Sequence, residues 1–315
     1  MATSLTKKGL IAASDKVIVA ARPALELISQ FTTDFSADAV KPGTGVAVDV
    51  MTATAETFVK STNNYTHTTG TIKNFIVPCN VRKKSTFSLD DIDCLEDETA
   101  HCWSKFGPVA GRAVAVELVK AVTGLLTRTA RAAAYTLGGS TLANFTALRA
   151  YVEGKKAGVD DGIDPSTCVL LLEPTTYSAL LAVLPDSVIG TGDVLRTGAI
   201  GQFLGFKAVF PAPTISTDGA AASDGKGKGF IVPENALAVV NRTVRPLKGI
   251  GGELLEFGEF TDEISGITLT QRVVAESGDG EVFWTSEGLF GAKLTAKDAD
   301  GNATGAPGYY QIVVA

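Results

Sequence analysis

Residues 108–135, PVAGRAVAVELVKAVTGLLTRTARAAAY, carry the strongest helix signal in this chain. At about 100° per residue, the apolar side chains of this stretch fall on one face of a helix. They are Ala110, Val114, Leu118, Ala121, Val122 and Leu125. The opposite face carries Arg112, Lys120, Thr123, Thr127 and Arg131. A helix of about 25 residues is about 37 Å long, which suits the backbone of a flat, elongated molecule.

The segment before this helix has the pattern of a long β-hairpin. Val46, Val48 and Val50 alternate with smaller or polar residues, and β-type residues return at 72–77 and 81–87. The polar stretch STNNYTHTTG, residues 61–70, separates the two sides and predicts a polar tip. A two-stranded ribbon is marginally stable alone in water, so we expect it to pack on another surface.

The first 42 residues are predicted to form an arm. Pro23 is expected to open a short helix, and the stretch 36–45 is expected to be loose. The helix carries apolar side chains at Leu25, Leu27, Ile28, Phe31 and Phe35. A helix this short cannot bury its apolar side alone, so it needs a surface within the chain or on a neighbour.

The rest of the chain predicts a compact mixed domain followed by β-structure. Gly138 and Gly139 end the long helix. The elements predicted after them are helices at 142–156 and 174–184, strands at 168–172, 206–210 and 229–232, an exposed loop at 215–228, and strands at 254–260, 267–275, 281–294 and 309–314. The fold class is therefore α+β.

Composition excludes several classes of protein. The chain has 315 residues, 45% of them hydrophobic, which is enough for a sizeable core. With 28 basic and 34 acidic residues its formal net charge is -6, which disfavours nucleic-acid binding as the main role. No run approaches the roughly 18 apolar residues needed to span a bilayer, so we expect no membrane partner.

Motifs that carry chemistry are missing from the sequence. There are two histidines, His67 and His101, and neither a phosphate-binding loop nor a nucleophile elbow occurs. His101 with Cys94 and Cys102 lacks the fourth ligand of a structural zinc site. We therefore predict no catalytic, metal-binding or cofactor-binding residues, and no cofactor.

One charge feature has two interpretations. Three basic residues, Arg82, Lys83 and Lys84, stand at the foot of the hairpin, and an acidic stretch follows at 90–98. The acidic stretch includes Asp90, Asp91, Asp93, Glu96 and Asp97. Both groups can be solvated surfaces. Alternatively, the basic foot of one copy of the chain faces the acidic stretch of the next, because complementary charge sets register and partner choice.

The order of these elements resembles the Hong Kong 97 capsid fold of tailed bacteriophages. The stretches that carry the resemblance are 45–87, 108–135, TCVLLLEPTTYSALLAVL at 167–184, GAIGQFLGFKAVFPAPTI at 198–215 and TSEGLFGAKL at 285–294. The resemblance implies an arm (1–42), an extended loop (43–88), the spine helix of a peripheral domain (89–137), an axial domain (138–252) and a return to the peripheral domain (253–315).

The resemblance also implies a function as a major capsid protein, a structural protein and not an enzyme. Copies are expected to form pentamers and hexamers of an icosahedral shell, which encloses double-stranded DNA without sequence-specific binding. Further partners are a portal protein and, as optional components, separate scaffolding or decoration proteins. The expected location is the virion, after assembly in the cytoplasm of a host bacterium. Expected contacts between copies are Leu25, Ile28, Phe31, Lys60, Lys73 and the charged residues named above.

Two alternatives remain open at this point. An encapsulin-like compartment has the same fold but packages protein cargo. An α/β enzyme would instead use the central domain around residues 168–210. Co-purified cargo would favour the first, and a rise in melting temperature on ligand binding would favour the second.

Overall fold

A computed structural model describes residues 17–39, 43–52, 71–89, 99–126, 133–156, 164–184, 200–211, 227–244, 253–262, 266–275, 282–295 and 308–314. Helix α1 spans 17–25. The other helices are α2 (Thr99–Thr123), α3 (Leu142–Lys156) and α4 (Pro174–Val183). The strands are β1 (Thr32–Ala39), β2 (Gly45–Thr52), β3 (Thr71–Pro78), β4 (Val81–Leu89), β5 (Ala133–Leu137), β6 (Cys168–Leu172), β7 (Ala208–Pro211), β8 (Gly227–Pro233), β9 (Leu237–Thr243), β10 (Glu253–Thr261), β11 (Thr268–Ala275), β12 (Val282–Leu294) and β13 (Tyr310–Val314).

Strand β12 organises a six-stranded sheet. It pairs antiparallel with β4, β11 and β9, and the sheet continues to β10 beyond β11 and to β1 beyond β9. Buried Asn241 on β9 ties three of these strands together, because its amide donates to the carbonyls of Thr268 and Leu289 at 3.1 and 3.3 Å. Its Oδ1 accepts from the Thr268 N–H. A buried side chain that satisfies its own polar atoms in this way fixes the strand register.

A second sheet has five strands in the order β5-β13-β8-β6-β7. One of its faces packs against α3 and α4 through Leu170, Ile231, Leu148 and Leu180. The other face belongs to the same hydrophobic core as α2 and the six-stranded sheet. Both faces are therefore buried, which explains the nearly continuous apolar run of β6.

Helix α2 confirms the predicted long helix but corrects its bounds. It begins at Thr99 and ends at Thr123, with Pro108 inside it, whereas the sequence placed it at 108–135. Proline is favoured in the first helical turn, and for that reason the sequence pattern misplaced the start. Ala110, Val114 and Leu118 are buried as predicted.

Thr123 was placed on the outer face of α2, and that prediction is wrong. The Thr123 side chain is 2% exposed, and its hydroxyl donates to the Val119 carbonyl at 2.8 Å. A threonine near the end of a helix can be buried at low cost when its hydroxyl bonds the preceding turn.

The described part of the arm differs from the prediction in two ways. Helix α1 spans 17–25, so it starts at least six residues before Pro23 and ends before Phe31 and Phe35. Residues 32–39 form strand β1, which pairs in parallel with β9 with a register shift between Phe35 and Ala39. The Arg242 guanidinium on β9 donates to the backbone and carboxylate of Asp34 at 2.8 and 2.7 Å. The loose stretch expected from residue 36 onward is therefore wrong as far as Ala39, because a partner strand about 200 residues later in the chain orders it.

Two strands lie in sheets that do not follow the predicted division of the chain into domains. Strand β9 was counted with the central domain, yet it pairs with β12 and β1 in the six-stranded sheet. Strand β13 was counted with the return to the first unit, yet it lies between β5 and β8 in the five-stranded sheet. The chain thus crosses between the two sheets more often than the sequence pattern suggests.

Candidate functional site

The foot of the β-hairpin is the best-defined part of the predicted contact region. Strands β2 and β3 pair antiparallel, from Gly45 opposite Pro78 to Thr52 opposite Thr71. This confirms the predicted hairpin, while its predicted tip lies outside the described residues. Val48 and Val77 are 4% and 0% exposed, and both belong to one apolar cluster with Val240 of β9. The foot of the ribbon is therefore held on the six-stranded sheet of its own chain.

Gly291 on β12 allows the ribbon to approach this closely. A Cβ atom at Gly291 would lie 2.4 Å from the carbonyl oxygen of Pro78, at the end of β3. The Lys293 ammonium group donates to the carbonyl of Ile76 at 3.4 Å. The ribbon thus leaves the sheet at a point where the two backbones are in direct contact.

The turn after β3 carries a buried thiol. The backbone N–H of Gly43 donates to the Cys79 carbonyl at 2.7 Å, and the Cys79 N–H donates to the Thr44 carbonyl at 3.0 Å. Burial raises the pKa of the Cys79 thiol, an effect that Arg242 partly opposes. Burial likewise raises the pKa of Cys168 to about 12. Both thiols are protonated at neutral pH, so neither is poised as a nucleophile.

The first two residues of the predicted basic foot have partners in their own chain. The Arg82 guanidinium donates to Glu287 Oε2 at 3.1 and 2.7 Å, and Arg272 lies 3.6 Å from the same oxygen. Lys83 donates to Glu117 at 3.2 Å. The contact of these two side chains with the acidic stretch of a neighbouring copy stays a prediction, because that stretch lies outside the described residues.

The surface cluster around Glu117 perturbs its titration. Lys120 donates to Glu117 at 2.7 Å, and Lys120 and then Lys83 hold the pKa of that carboxyl below its usual range. All three side chains are between 41% and 47% exposed, so the cluster contributes little to stability.

Lys84 is the member of the basic foot that remains available for a contact outside its own chain. Its side chain is exposed on the face of β4 away from α2, and no ion pair of Lys84 is seen within the described ranges. The sequence pattern could not distinguish Lys84 from its neighbours, because the partner of Arg82 lies 205 residues away.

The predicted apolar contacts of the arm lie inside the molecule. Leu25, Ile28 and Phe31 are 1%, 0% and 3% exposed, and they pack in the same core as α2. These side chains cannot reach a neighbouring copy in this conformation. Of the two surfaces expected to cover the apolar side of the arm, the one observed is that of its own chain.

The other predicted contact residues are outside the described surface. Lys73 lies on β3, opposite Val50, and nothing is described of its side chain. Lys60 and the acidic residues Asp90, Asp91, Asp93, Glu96 and Asp97 lie outside the described residues. Their role as contacts stays a prediction.

The described residues show neither a metal centre nor a membrane span. Within them, no three side chains of histidine, cysteine, aspartate or glutamate come together in a group that could hold an ion. None of the described helices is both long and apolar enough to cross a bilayer.

A half-open apolar cavity of about 220 Å³ lies between the end of α2 and the start of β4, lined by Leu118, Val122, Leu125 and Phe290 among others.

Comparison with known proteins gives a structural answer only. No protein-family model matches the sequence, and no curated protein matches it. The structure is similar to the head structure of Helicobacter pylori bacteriophage KHP40, with a TM-score of 0.50 and 10% identity over 90% of this chain and 86% of that chain. The chain has the Hong Kong 97-type capsid fold.

Other similar solved structures come from phages of different hosts. The capsid structure of cyanophage P-SCSP1u matches with a TM-score of 0.49 and 12% identity, over 92% of this chain and 88% of that chain. A structure from Mycobacterium phage Cain matches with a TM-score of 0.46 and 13% identity, over 92% of this chain and 90% of that chain. The sequence identity to this chain is 13% or less in all three structures.

Proposed function

We propose that this chain is the major capsid protein of a tailed bacteriophage and that its copies assemble into the icosahedral head around double-stranded DNA. The observation that carries the proposal is the match of the capsid fold over 90% of the chain to a phage head structure. A match confined to one domain would allow many functions, because common domain folds host unrelated activities.

The chemistry of the described residues supports a structural role. The two described thiols are buried and have raised pKa values. The ordered polar side chains tie strands to one another, as Arg82 does with Glu287 and Arg242 with Asp34. These contacts serve the architecture of the subunit, and we infer that its function is self-association and not catalysis.

The remaining partners and the location follow from this role. We propose a portal protein, packaged DNA held without sequence-specific contacts, and separate scaffolding or decoration proteins as optional components. The formal net charge of -6 is compatible with a wall that does not adhere to the packaged DNA. Assembly would take place in the bacterial cytoplasm and the finished protein would reside in the virion.

The division of the chain into capsid domains is also part of the proposal. We assign the arm to 1–42, the extended loop to 43–88 and the spine-helix region to 89–137. The axial domain takes most of 138–252, and the peripheral domain takes most of 253–315. Strands β9 and β13 are exchanged between the last two segments, in keeping with their sheets.

Negative-stain electron microscopy and light scattering of the purified full chain test the proposed function. We expect pentamers, hexamers or closed shells of uniform size. A monomer under all conditions of salt, pH and protein concentration would contradict the proposal. Shells that contain a co-purified enzyme would instead favour a protein compartment.

A further inference from the structure

The six-stranded sheet contains a four-stranded segment with two open edges. Over residues 282–287, β12 pairs with β4 and also with β11, so these strands lie on opposite sides of β12. Strand β10 pairs with β11, which gives the local order β4-β12-β11-β10. Among the described strands, β4 pairs with β12 alone and β10 with β11 alone. Each outer strand therefore presents a backbone edge that can hydrogen-bond to another strand.

The two edges carry opposite charge. Strand β4 has the sequence VRKKSTFSL, with three basic residues and no acidic one. Strand β10 has the sequence ELLEFGEFT, with three glutamates and no basic residue. Like charges placed directly opposite each other destabilise a strand pair, whereas opposite charges stabilise it. Pairing of β4 with β4, or of β10 with β10, is thus disfavoured, and pairing of β4 with β10 is favoured.

The register of the sheet places a charged side chain at each end of the same row, and neither has an ion pair within the described part of the chain. Lys84 lies opposite Glu287, Glu287 opposite Thr270, and Thr270 opposite Glu259. Directly opposed residues share a face, so Lys84 and Glu259 lie on one face at the two ends of this row. Both side chains are exposed.

Two exposed apolar side chains on β10 lie on the same face. A β-bulge between Leu254 and Glu256 shifts the register and brings Leu254 into line with Phe257 and Glu259. Leu254 and Phe257 are 39% and 36% exposed. Across the four strands, the row that begins at Leu254 ends at Ser88 on β4, and the row that begins at Phe257 ends at Thr86 on β4.

The geometry points to a contact between copies in which β10 of one subunit pairs antiparallel with β4 of the next. This inference deepens the proposed function and rests on it. The four strands of the segment are antiparallel to one another in turn. If a second copy is placed beside the first in the same orientation, its β4 therefore runs antiparallel to β10 of the first copy. Glu259 then faces Lys84 of the next copy. Phe257 and Leu254 lie beside β4 of that copy, which covers their exposed side chains.

A contact of this kind suits a closed assembly. It joins one surface of a copy to a different surface of the next, and such head-to-tail contacts form rings or shells when the rotation between copies closes. Main-chain hydrogen bonds between two edges supply affinity, while the charges select the partner strand and the register.

Charge reversal tests the contact in the full chain. Lys84→Glu alone and Glu259→Lys alone are each expected to raise the protein concentration needed for assembly by about tenfold or more, because each places like charges opposite each other. The double variant Lys84→Glu with Glu259→Lys restores opposite charges at every contact between copies, although the glutamate introduced at position 84 still lies opposite Glu287 within the chain. If its melting temperature matches that of Lys84→Glu, it is expected to assemble at nearly the unmodified concentration. Arg112→Glu, a reversal at an exposed position on α2, is the matched control and is expected to leave assembly unchanged.

Carbodiimide cross-linking provides a second measurement on unmodified particles. Within one chain Lys84 and Glu259 are three strand spacings apart, about 14 Å, so a zero-length reagent cannot join them there. Particles grown from a mixture of isotopically light and heavy copies are expected to yield a Lys84–Glu259 peptide pair of mixed mass.

The outcomes separate this contact from the proposed function. If unmodified shells form and both single variants assemble at the unmodified concentration, the contact is refuted while the capsid role stands. Loss of assembly in the singles without rescue in the double variant, at unchanged melting temperature, also refutes the pairing. If the unmodified chain forms no shells under any condition, the proposed function itself fails and the contact fails with it.

Discussion

The Arg82 guanidinium donates two hydrogen bonds to a single oxygen of Glu287, at 3.1 and 2.7 Å, and the Glu287 side chain is 1% exposed. The pair joins β4 to β12, and Arg272 of β11 lies 3.6 Å from the same oxygen. A carboxylate this deeply buried is tolerated only because cations surround it.

The two partners of this ion pair are expected to differ in their effect on stability. Arg82→Gln leaves the buried carboxylate with only the more distant Arg272, and we expect it to lower the free energy of unfolding by about 2–3 kcal/mol. Glu287→Gln should cost less, about 1 kcal/mol, because the amide still accepts a hydrogen bond and Arg82, 40% exposed, can turn to solvent. Urea denaturation of both variants measures the difference, and equal losses would contradict the argument.

Any side chain at position 291 is expected to destabilise the folded protein. In Gly291→Ala the new Cβ would meet the Pro78 carbonyl, so the foot of the hairpin must move or the sheet must bend. We expect a loss of about 1–3 kcal/mol in the free energy of unfolding. Gly154→Ala is the matched control: Gly154 lies within α3, its added Cβ has no atom within 4 Å apart from its chain neighbours and the backbone of its own helix, and the variant should gain about 0.5–1 kcal/mol. A neutral Gly291→Ala would show that the foot is not pressed against the sheet.

Gly111 tests whether the arm is held by its own chain. A Cβ on Gly111 of α2 would lie 2.5 Å from the carbonyl oxygen of Val17 in α1. Gly111→Val is therefore expected to displace α1 and to speed cleavage after Glu26 by a glutamate-specific protease several-fold. Ala113→Val, at an exposed position on the same helix, is the control and should leave cleavage unchanged. Unchanged cleavage in Gly111→Val would place the arm elsewhere in solution.

Cys168 is expected to make the protein sensitive to alkali. Burial raises its pKa to about 12 in the folded state, from an ordinary value of 9.0. Its contribution to stability is complete below the ordinary pKa and is lost as pH rises toward the folded value. Between those two pH values the free energy of unfolding should fall by up to about 1.4 kcal/mol per pH unit.

The Cys168→Ala variant isolates this contribution from those of other alkaline groups. Stability of the two proteins is compared at several pH values between 8 and 11 by urea denaturation. The difference between them should shrink as pH rises, because only the unmodified chain must keep a thiol protonated against its unfolded pKa. Parallel stability curves would show that Cys168 is not buried in the folded protein.

Local patterns predicted the elements of this fold well. The alternation of Val46 and Val48 identified the hairpin, and the run at 168–172 coincides with β6. The long helix was recognised from one apolar face, although Pro108 suggested a false start. These signals succeed because periodicity reflects which side of an element is buried.

Contacts between distant parts of the chain could not be predicted in the same way. Strand β1 has little β-pattern of its own and is ordered by β9. Arg82, Lys83 and Lys84 look alike in the sequence, yet Glu287 and Glu117 pair the first two and leave the third exposed. The importance of Lys84 and Glu259 depends on a register across four strands, which is set by tertiary pairing and not by local propensity.

Strand β13 has a consequence for the order of folding during synthesis. Strand β13 pairs with β5 on one side and with β8 on the other. It therefore lies between two strands that are translated much earlier. The five-stranded sheet remains split until residues 310–314 have left the ribosome, since β13 is the described strand that lies between β5 and β8. A nascent chain therefore cannot join β5 to β8 in this sheet before β13 has been synthesised.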